Sequence, residues 1–109
     1  SREFLYVEDA AEAILLASER YDGPDPVNLG TDEEMPIRDL VELIKSEVGF
    51  DGEVRWDTSK PDGQPRRRVD PSRAKELFGF EAAVPFQEGL RRTIAWYREH
   101  RAVAEARAV

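Results

Sequence analysis

Proline and glycine divide this chain into short segments, and their spacing constrains the fold more than any other feature of the sequence. In two segments apolar residues recur every three or four positions, the spacing of one buried helix face. They are Ala10, Ala13, Ile14 and Ala17 in the first segment, and Ile37, Leu40, Val41, Ile44 and Val48 in the second. We predict one helix from about Asp9 to about Arg20 and another from Pro36 to a stop at Gly49.

Two more helices are predicted in the second half of the chain. Asp70 and Pro71 suit a helix start, and this helix should end at Phe78, before Gly79. The last helix should end near His100, and its apolar stripe is Phe86, Leu90, Ile94 and Tyr97. After it we expect a polar, alanine-rich tail whose last residues fray.

Short β-prone runs lie at residues 4–7, 27–30 and 54–57, and residues 58–69 contain enough proline and glycine to predict a loop. The resulting order of helices and short strands predicts an α/β fold of helices with a few short strands. The length of 109 residues fits one domain with a modest core. The first residues read as the middle of a strand, which suggests a segment of a longer polypeptide.

The composition excludes several classes of function. Lys and Arg number 16 against 23 Asp and Glu, a formal charge of −7, which disfavours binding to nucleic acid or an anionic membrane. There is no cysteine and only one histidine, so thiol chemistry is excluded and no metal site is predicted. Because no apolar run approaches the roughly 20 residues of a membrane-spanning helix, we expect a soluble, cytoplasmic protein.

The loop at residues 60–68 contains four cations, Lys60, Arg66, Arg67 and Arg68, in an otherwise acidic chain. Guanidinium groups match phosphate oxygens with paired donors, so the loop suits a phosphate-bearing ligand. The alternative is a solvated turn whose arginines pair with neighbouring carboxylates. Arg2 could likewise reach a ligand or pair with Glu3 or Glu8.

Three further side chains are weaker candidates for function. Trp56 and Trp96 could stack on a base, but aromatic residues at such positions more often fill a core, which is what we expect here. His100 lies near a helix end without a second metal ligand, so we expect a solvated side chain. No serine has a recognisable nucleophile motif around it, and no catalytic residue is predicted.

Several separated patterns resemble the C-terminal half of the extended short-chain dehydrogenases, the NAD(P)-dependent epimerase/dehydratase family. Residues 2–10, R-E-F-L-Y-V-E-D-A, are similar to that family's R-[DE]-[FY]-[LIV]-[HY]-V-x-D-x passage. Similar elements follow in order at residues 27–31, 36–40, 66–80 and 86–97. Within the family, residues 57–67, D-T-S-K-P-D-G-Q-P-R-R, resemble the D-x-[ST]-K-P-D-G-[TQ]-P-R-K loop of the GDP-L-fucose synthases.

This resemblance implies that residues 1–109 are a single sugar-nucleotide-binding domain that lacks the Rossmann part. It implies an intact enzyme that epimerises a GDP-4-keto-6-deoxy-mannose at two carbons and reduces its ketone. NADP or NAD would be bound by the absent N-terminal part, which would also supply the catalytic residues, and the enzyme would be a homodimer. Arg2 and Arg67 would contact the nucleotide diphosphate, and Arg66 and Lys60 complete the predicted substrate-binding set.

Two other interpretations stay open at this point. The chain could come from a different nucleotide-sugar 4-epimerase or 4,6-dehydratase of the same family. It could also be a non-enzymatic module whose helices bind another protein.

Overall fold

The computed structural model describes residues 1–108, in which helices predominate and two very short strands form the sheet. In chain order the elements are β1 (Arg2–Glu3), α1 (Val7–Arg20), β2 (Glu34–Met35), α2 (Ile37–Val48), α3 (Ser72–Phe78), α4 (Phe86–Glu99) and α5 (Arg101–Arg107). The predicted class of helices with a few short strands is confirmed. Val109, the last residue of the predicted domain, lies outside the described residues.

The helix ends follow the sequence signals closely. Gly49 ends α2 with φ of 73°, and Gly79 ends α3 with φ of 72°, a left-handed conformation that glycine adopts without strain. After α2, the N–H of Phe50 donates to the Lys45 carbonyl at 3.0 Å, which closes the helix end. Pro85 immediately precedes α4, as predicted.

The predicted strands are wrong in detail. The first strand is Arg2–Glu3 rather than residues 4–7, and α1 starts at Val7 rather than near Asp9. Residues 27–30 and 54–57 form no strand, because neither run meets a neighbouring strand in residues 1–108. The second strand is instead Glu34–Met35, which the sequence pattern did not indicate.

The tail after His100 forms α5 rather than an irregular end. Its alanines favour a helix, and Arg101 donates to Glu105 one turn later at 2.8 Å. His100 is exposed as expected, and its ring stacks on Trp96 with the centroids 4.8 Å apart. The expectation of core positions for Trp96 and Trp56 is wrong, because each is about half exposed.

The two strands pair in antiparallel fashion, with Arg2 opposite Met35 and Glu3 opposite Glu34. On the other side of β1, Arg67 forms a parallel bridge with Arg2. The N–H of Arg67 donates to the Ser1 carbonyl at 3.2 Å. The arginine-rich end of the 58–69 loop therefore lies beside the first strand.

A small apolar core lies where α1 packs against α3. Its buried members are Ala13, Ala74, Phe78 and Phe80. On the other side of the molecule α2 packs against α4, where Glu47 of α2 accepts from Gln87 at 2.8 Å and from Arg91 at 3.1 Å. None of the helices within residues 1–108 has the length and apolar character that crossing a bilayer would require.

Candidate anion-binding site

A cleft of about 190 Å³ lies between β1 and the end of the arginine-rich loop. It is lined by Arg2, Glu3, Leu5, Leu29, Arg67, Arg68 and Val69. Three of these side chains are cations and one is a carboxylate. The cleft therefore has a positive surplus although the chain as a whole is acidic.

Arg2 is held against the backbone of the loop rather than against a carboxylate. Its Nη1 donates to the carbonyls of Gln64 at 2.6 Å and Ser1 at 2.7 Å, so the pairing with Glu3 or Glu8 considered from sequence does not form. Its Nη2 lies so close to Gly63 that a Cβ there would come within 3.3 Å. Carbonyl acceptors leave the guanidinium charge uncompensated, so it remains available to an anion.

Arg67 lies next to Arg2 because the two residues bridge across the sheet. Its backbone is fixed by the hydrogen bond to Ser1, and its side chain is exposed. No ion pair involves Arg67 or Arg2 in the part of the chain that the structure describes. Two uncompensated guanidinium groups therefore line one cleft.

Arg66 is turned away from this pair and faces β2. Its Nε donates to both oxygens of Glu34, at 2.7 and 2.8 Å. The hydrogen bond from Arg66, and then that from the Ser1 hydroxyl, lowers the pKa of Glu34 to about 2, and the Glu34 hydrogen bond raises the pKa of Arg66. The Glu34 carboxylate thus stays ionised at neutral pH. It forms an ion pair with the Arg66 guanidinium, which the sequence had suggested as a substrate contact.

The positions of Lys60 and Arg68 differ from those predicted from the sequence. Lys60 is exposed in the loop and is not among the residues that line the cleft. Arg68 lines the cleft and pairs with Asp32, yet it was not among the four predicted contacts. Its membership of the cation-rich loop was the only sequence signal that pointed to it.

Glu3 builds the wall of the cleft. Its carboxylate accepts from the N–H of Thr31 at 3.1 Å and from the N–H of Val69 at 3.4 Å. A Cβ on Gly30 would collide with this carboxylate and with the side chain of Val69. Glycine at position 30 thus lets two separate segments meet at Glu3.

A larger cleft of about 280 Å³ offers different chemistry. It lies beside the Phe4 and Phe86 rings, whose centroids are 5.5 Å apart, and Glu33 is its only charged lining residue. An anion gains nothing there from a nearby cation. Within residues 1–108 no three His, Asp or Glu side chains group as metal ligands would. Of these two clefts only the smaller has a positive surplus, which makes it the candidate site for an anion.

The chain is similar to several known proteins, although no protein-family model matches it. It is 46% identical over 99 residues to probable GDP-L-fucose synthase 1 of Oryza sativa, which covers 91% of this chain and 30% of the relative. Identity to the GDP-L-fucose synthase of Escherichia coli is 37% over 108 residues, with 91% and 33% covered. A UDP-glucuronic acid decarboxylase 1 from Xenopus tropicalis is 39% identical over 105 residues, 94% of this chain and 25% of that protein.

The fold also matches solved structures. The crystal structure of the Bordetella bronchiseptica enzyme WbmF in complex with NAD+ and UDP superimposes with a TM-score of 0.81 and 30% identity. The match covers 96% of this chain and 32% of that enzyme, so the chain spans about a third of the length of the proteins it matches. This chain is homologous to the GDP-L-fucose synthases and has the fold of the C-terminal region of the NAD(P)-dependent epimerase/dehydratase family of extended short-chain dehydrogenases.

Proposed function

We propose that this chain is the nucleotide-sugar-binding portion of an NAD(P)-dependent nucleotide-sugar epimerase or reductase, and that Arg2 and Arg67 bind the diphosphate of a GDP-sugar. The observation that carries the proposal is the pair of uncompensated guanidinium groups beside one cleft. Lys60 and Arg66 are left out of the proposed direct contacts, since one lies off the cleft and the other is paired with Glu34.

Electrostatics explains why such a pair favours a diphosphate. Two like charges on bridged positions repel each other, and an anion between them replaces that repulsion with attraction. Each guanidinium presents parallel N–H donors that match the spacing of phosphate oxygens. The backbone of both residues is already fixed, at Arg2 by β1 and at Arg67 by Ser1, so little ordering is required on binding.

The first test is the substitution Arg67→Gln, with GDP and inorganic pyrophosphate as probes. Hydrogen bonds to charged groups contribute about 1.5–3 kcal/mol, so the dissociation constant is expected to rise about 10- to 100-fold. Titrations followed by ¹H–¹⁵N spectra at a fixed, near-physiological salt concentration detect even millimolar binding. The Nε–H signals of Arg2 and Arg67 are expected to shift most.

Arg55→Gln provides the matched control, because it removes the same charge from an exposed arginine whose only ion-pair partner within residues 1–108 is Glu53. Its affinity for pyrophosphate is expected to stay within about twofold of the unchanged chain, as for a screened surface charge. Equal losses in the two variants, or no binding by the unchanged chain, would contradict the site assignment.

The identity of the nucleotide is a separate question. The relatives that are GDP-L-fucose synthases favour a guanine nucleotide. A UDP-sugar is the second candidate, because one relative is a UDP-glucuronic acid decarboxylase and the WbmF crystal contains UDP. Titrating GDP and UDP in parallel decides between them, since both share the diphosphate and differ only in the base.

We further propose that a dinucleotide-binding part of the intact protein covers the outer face of α1. This part would bind NADP or NAD and would form most of a homodimer interface. Val7, Ile14 and Leu15 of that face are 69%, 63% and 58% exposed in the chain alone, although the sequence placed Ile14 on a buried face. Their spacing places them on one side of the helix. The radius of gyration is 16.7 Å, against about 13 Å for a compact domain of this size. The longer relatives supply the length that such a partner requires.

The substitution Leu15→Ser tests this surface. In the chain alone the free energy of unfolding should change by less than about 0.5 kcal/mol, because Leu15 is exposed. In a chimaera where this chain replaces the matching third of the rice relative, the loss should be about 2 kcal/mol if the side chain is buried there. Glu12→Ser, an exposed polar position on the same helix, is the control. An equal response to Leu15→Ser in both settings would rule out this docking face.

A further inference from the structure

The three consecutive arginines that end the loop have different partners. Arg66 pairs with Glu34, Arg68 pairs with Asp32, and Arg67 between them forms no ion pair among the described residues. Both paired arginines thus bind carboxylates of residues 32–34, and Arg68 does so although it also lines the cleft beside Arg67.

The carboxylates that receive these arginines belong to a single turn and strand. Asp32 has φ of 62°, a left-handed conformation that Asp and Asn tolerate better than most residues. The hydroxyl of Thr31 accepts from the N–H of Glu33 at 3.0 Å and stabilises the turn. Glu34 follows in β2, opposite Glu3 of β1. The turn therefore presents two carboxylates to the arginine segment.

We propose that Asp32 and Glu34 are positioning residues, which hold Arg68 and Arg66 so that the segment stays beside β1 and Arg67 is its contact for a diphosphate. The inference rests on the proposed function of Arg2 and Arg67, which it deepens. In this proposal Arg66 and Arg68 hold the segment in position, and only Arg67 binds the ligand.

The geometry favours positioning over simple charge balance. Exposed single ion pairs contribute little, but here two pairs act on one short segment and Glu34 is only one-fifth exposed. Glu3 adds a third carboxylate, which joins the N–H groups of Thr31 and Val69 across the same two segments. If the carboxylates only reduced the positive potential, their removal would strengthen the binding of any anion.

The first experiment separates these explanations by the sign of its result. The double variant Asp32→Asn, Glu34→Gln removes two negative charges while keeping side-chain shape, and Asn tolerates the left-handed conformation. We expect its dissociation constant for inorganic pyrophosphate to rise about tenfold despite the more favourable net charge. Glu33→Gln is the control, because Glu33 is a neighbouring carboxylate that pairs with no arginine in residues 1–108, and its affinity should stay within twofold. Equal or tighter binding by the double variant overturns the proposal.

The second experiment needs no ligand. It therefore tests the positioning role of Asp32 and Glu34 separately from the proposed diphosphate site. Amide hydrogen exchange at Arg67, whose N–H donates to Ser1, reports whether the segment stays beside β1. Exchange is expected to be about tenfold faster in the double variant, close to normal in Glu34→Asp, and intermediate in Glu34→Gln alone. An unchanged exchange rate in the double variant refutes the positioning role, whereas absence of pyrophosphate binding by the unchanged chain refutes only the diphosphate site.

Discussion

Phe80→Ala is expected to lower the free energy of unfolding by about 3–5 kcal/mol, the usual loss for a buried phenylalanine. Phe80 is 1% exposed and is the largest fully buried side chain in a core whose other members are Ala13, Ala74 and Phe78. With so few buried side chains, no neighbour can fill the space that the ring leaves. A domain of this size has about 5–15 kcal/mol of stability in total, so this single substitution should remove a large fraction of it.

Urea unfolding followed by far-UV circular dichroism measures this loss, and the melting temperature should fall by more than about 12 °C. Phe50→Ala is the matched control, because Phe50 is 53% exposed and lies over Gly52 at the end of α2. Its expected loss is below about 1 kcal/mol. Similar losses in the two variants would show that the core does not depend on Phe80.

Asp9→Ala is expected to lower the free energy of unfolding by about 2–6 kcal/mol, although aspartate is a polar residue on a helix. The side chain is 6% exposed, and its two oxygens accept from the N–H groups of Ala83 at 3.2 Å and Val84 at 3.0 Å. Removing it leaves two partly buried donors without partners, at about 1–3 kcal/mol each. Asp9 therefore connects the start of α1 to the segment that leads into α4.

The comparison with Glu8→Ala isolates this role, since Glu8 is the exposed neighbour whose nearest cation, Arg92, is 3.9 Å away. Its expected loss is below about 1 kcal/mol. Amide exchange adds a local readout, because the N–H groups of Ala83 and Val84 should lose protection in Asp9→Ala before the rest of the chain does. If Asp9→Ala and Glu8→Ala unfold at the same urea concentration, the buried carboxylate has no such role.

The same residue illustrates where sequence reasoning fell short. The sequence predicts a helix start near Asp9, and a helix does begin nearby, at Val7. The partners of Asp9 lie more than seventy positions later in the chain. A side chain that accepts hydrogen bonds from backbone groups far along the chain produces no periodic pattern in the sequence. The local sequence around Asp9 therefore indicates a helix start but not this long-range contact.

The candidate site, too, was predicted from the sequence only in part. The cation-rich loop was visible in the sequence, and the predicted substrate contacts were Lys60, Arg66 and Arg67 of that loop together with Arg2. Composition could not decide which arginines are paired, because that depends on Asp32 and Glu34, which lie more than thirty positions away. The alternative of carboxylate-paired arginines therefore holds for Arg66 and Arg68, while Arg67 forms no such pair in the described residues.

By itself, the sequence determined the helices α1 to α4, their glycine and proline boundaries and the family, because helix periodicity and end signals are carried by neighbouring residues. The tertiary structure alone decided which strands form, where Asp9 binds and how the arginines divide between fold and cleft. A strand needs a partner and an ion pair needs an opposite charge, and here those partners come from far along the chain, as in the ion pair of Arg66 with Glu34 across 32 positions. Only the folded backbone brings such residues together.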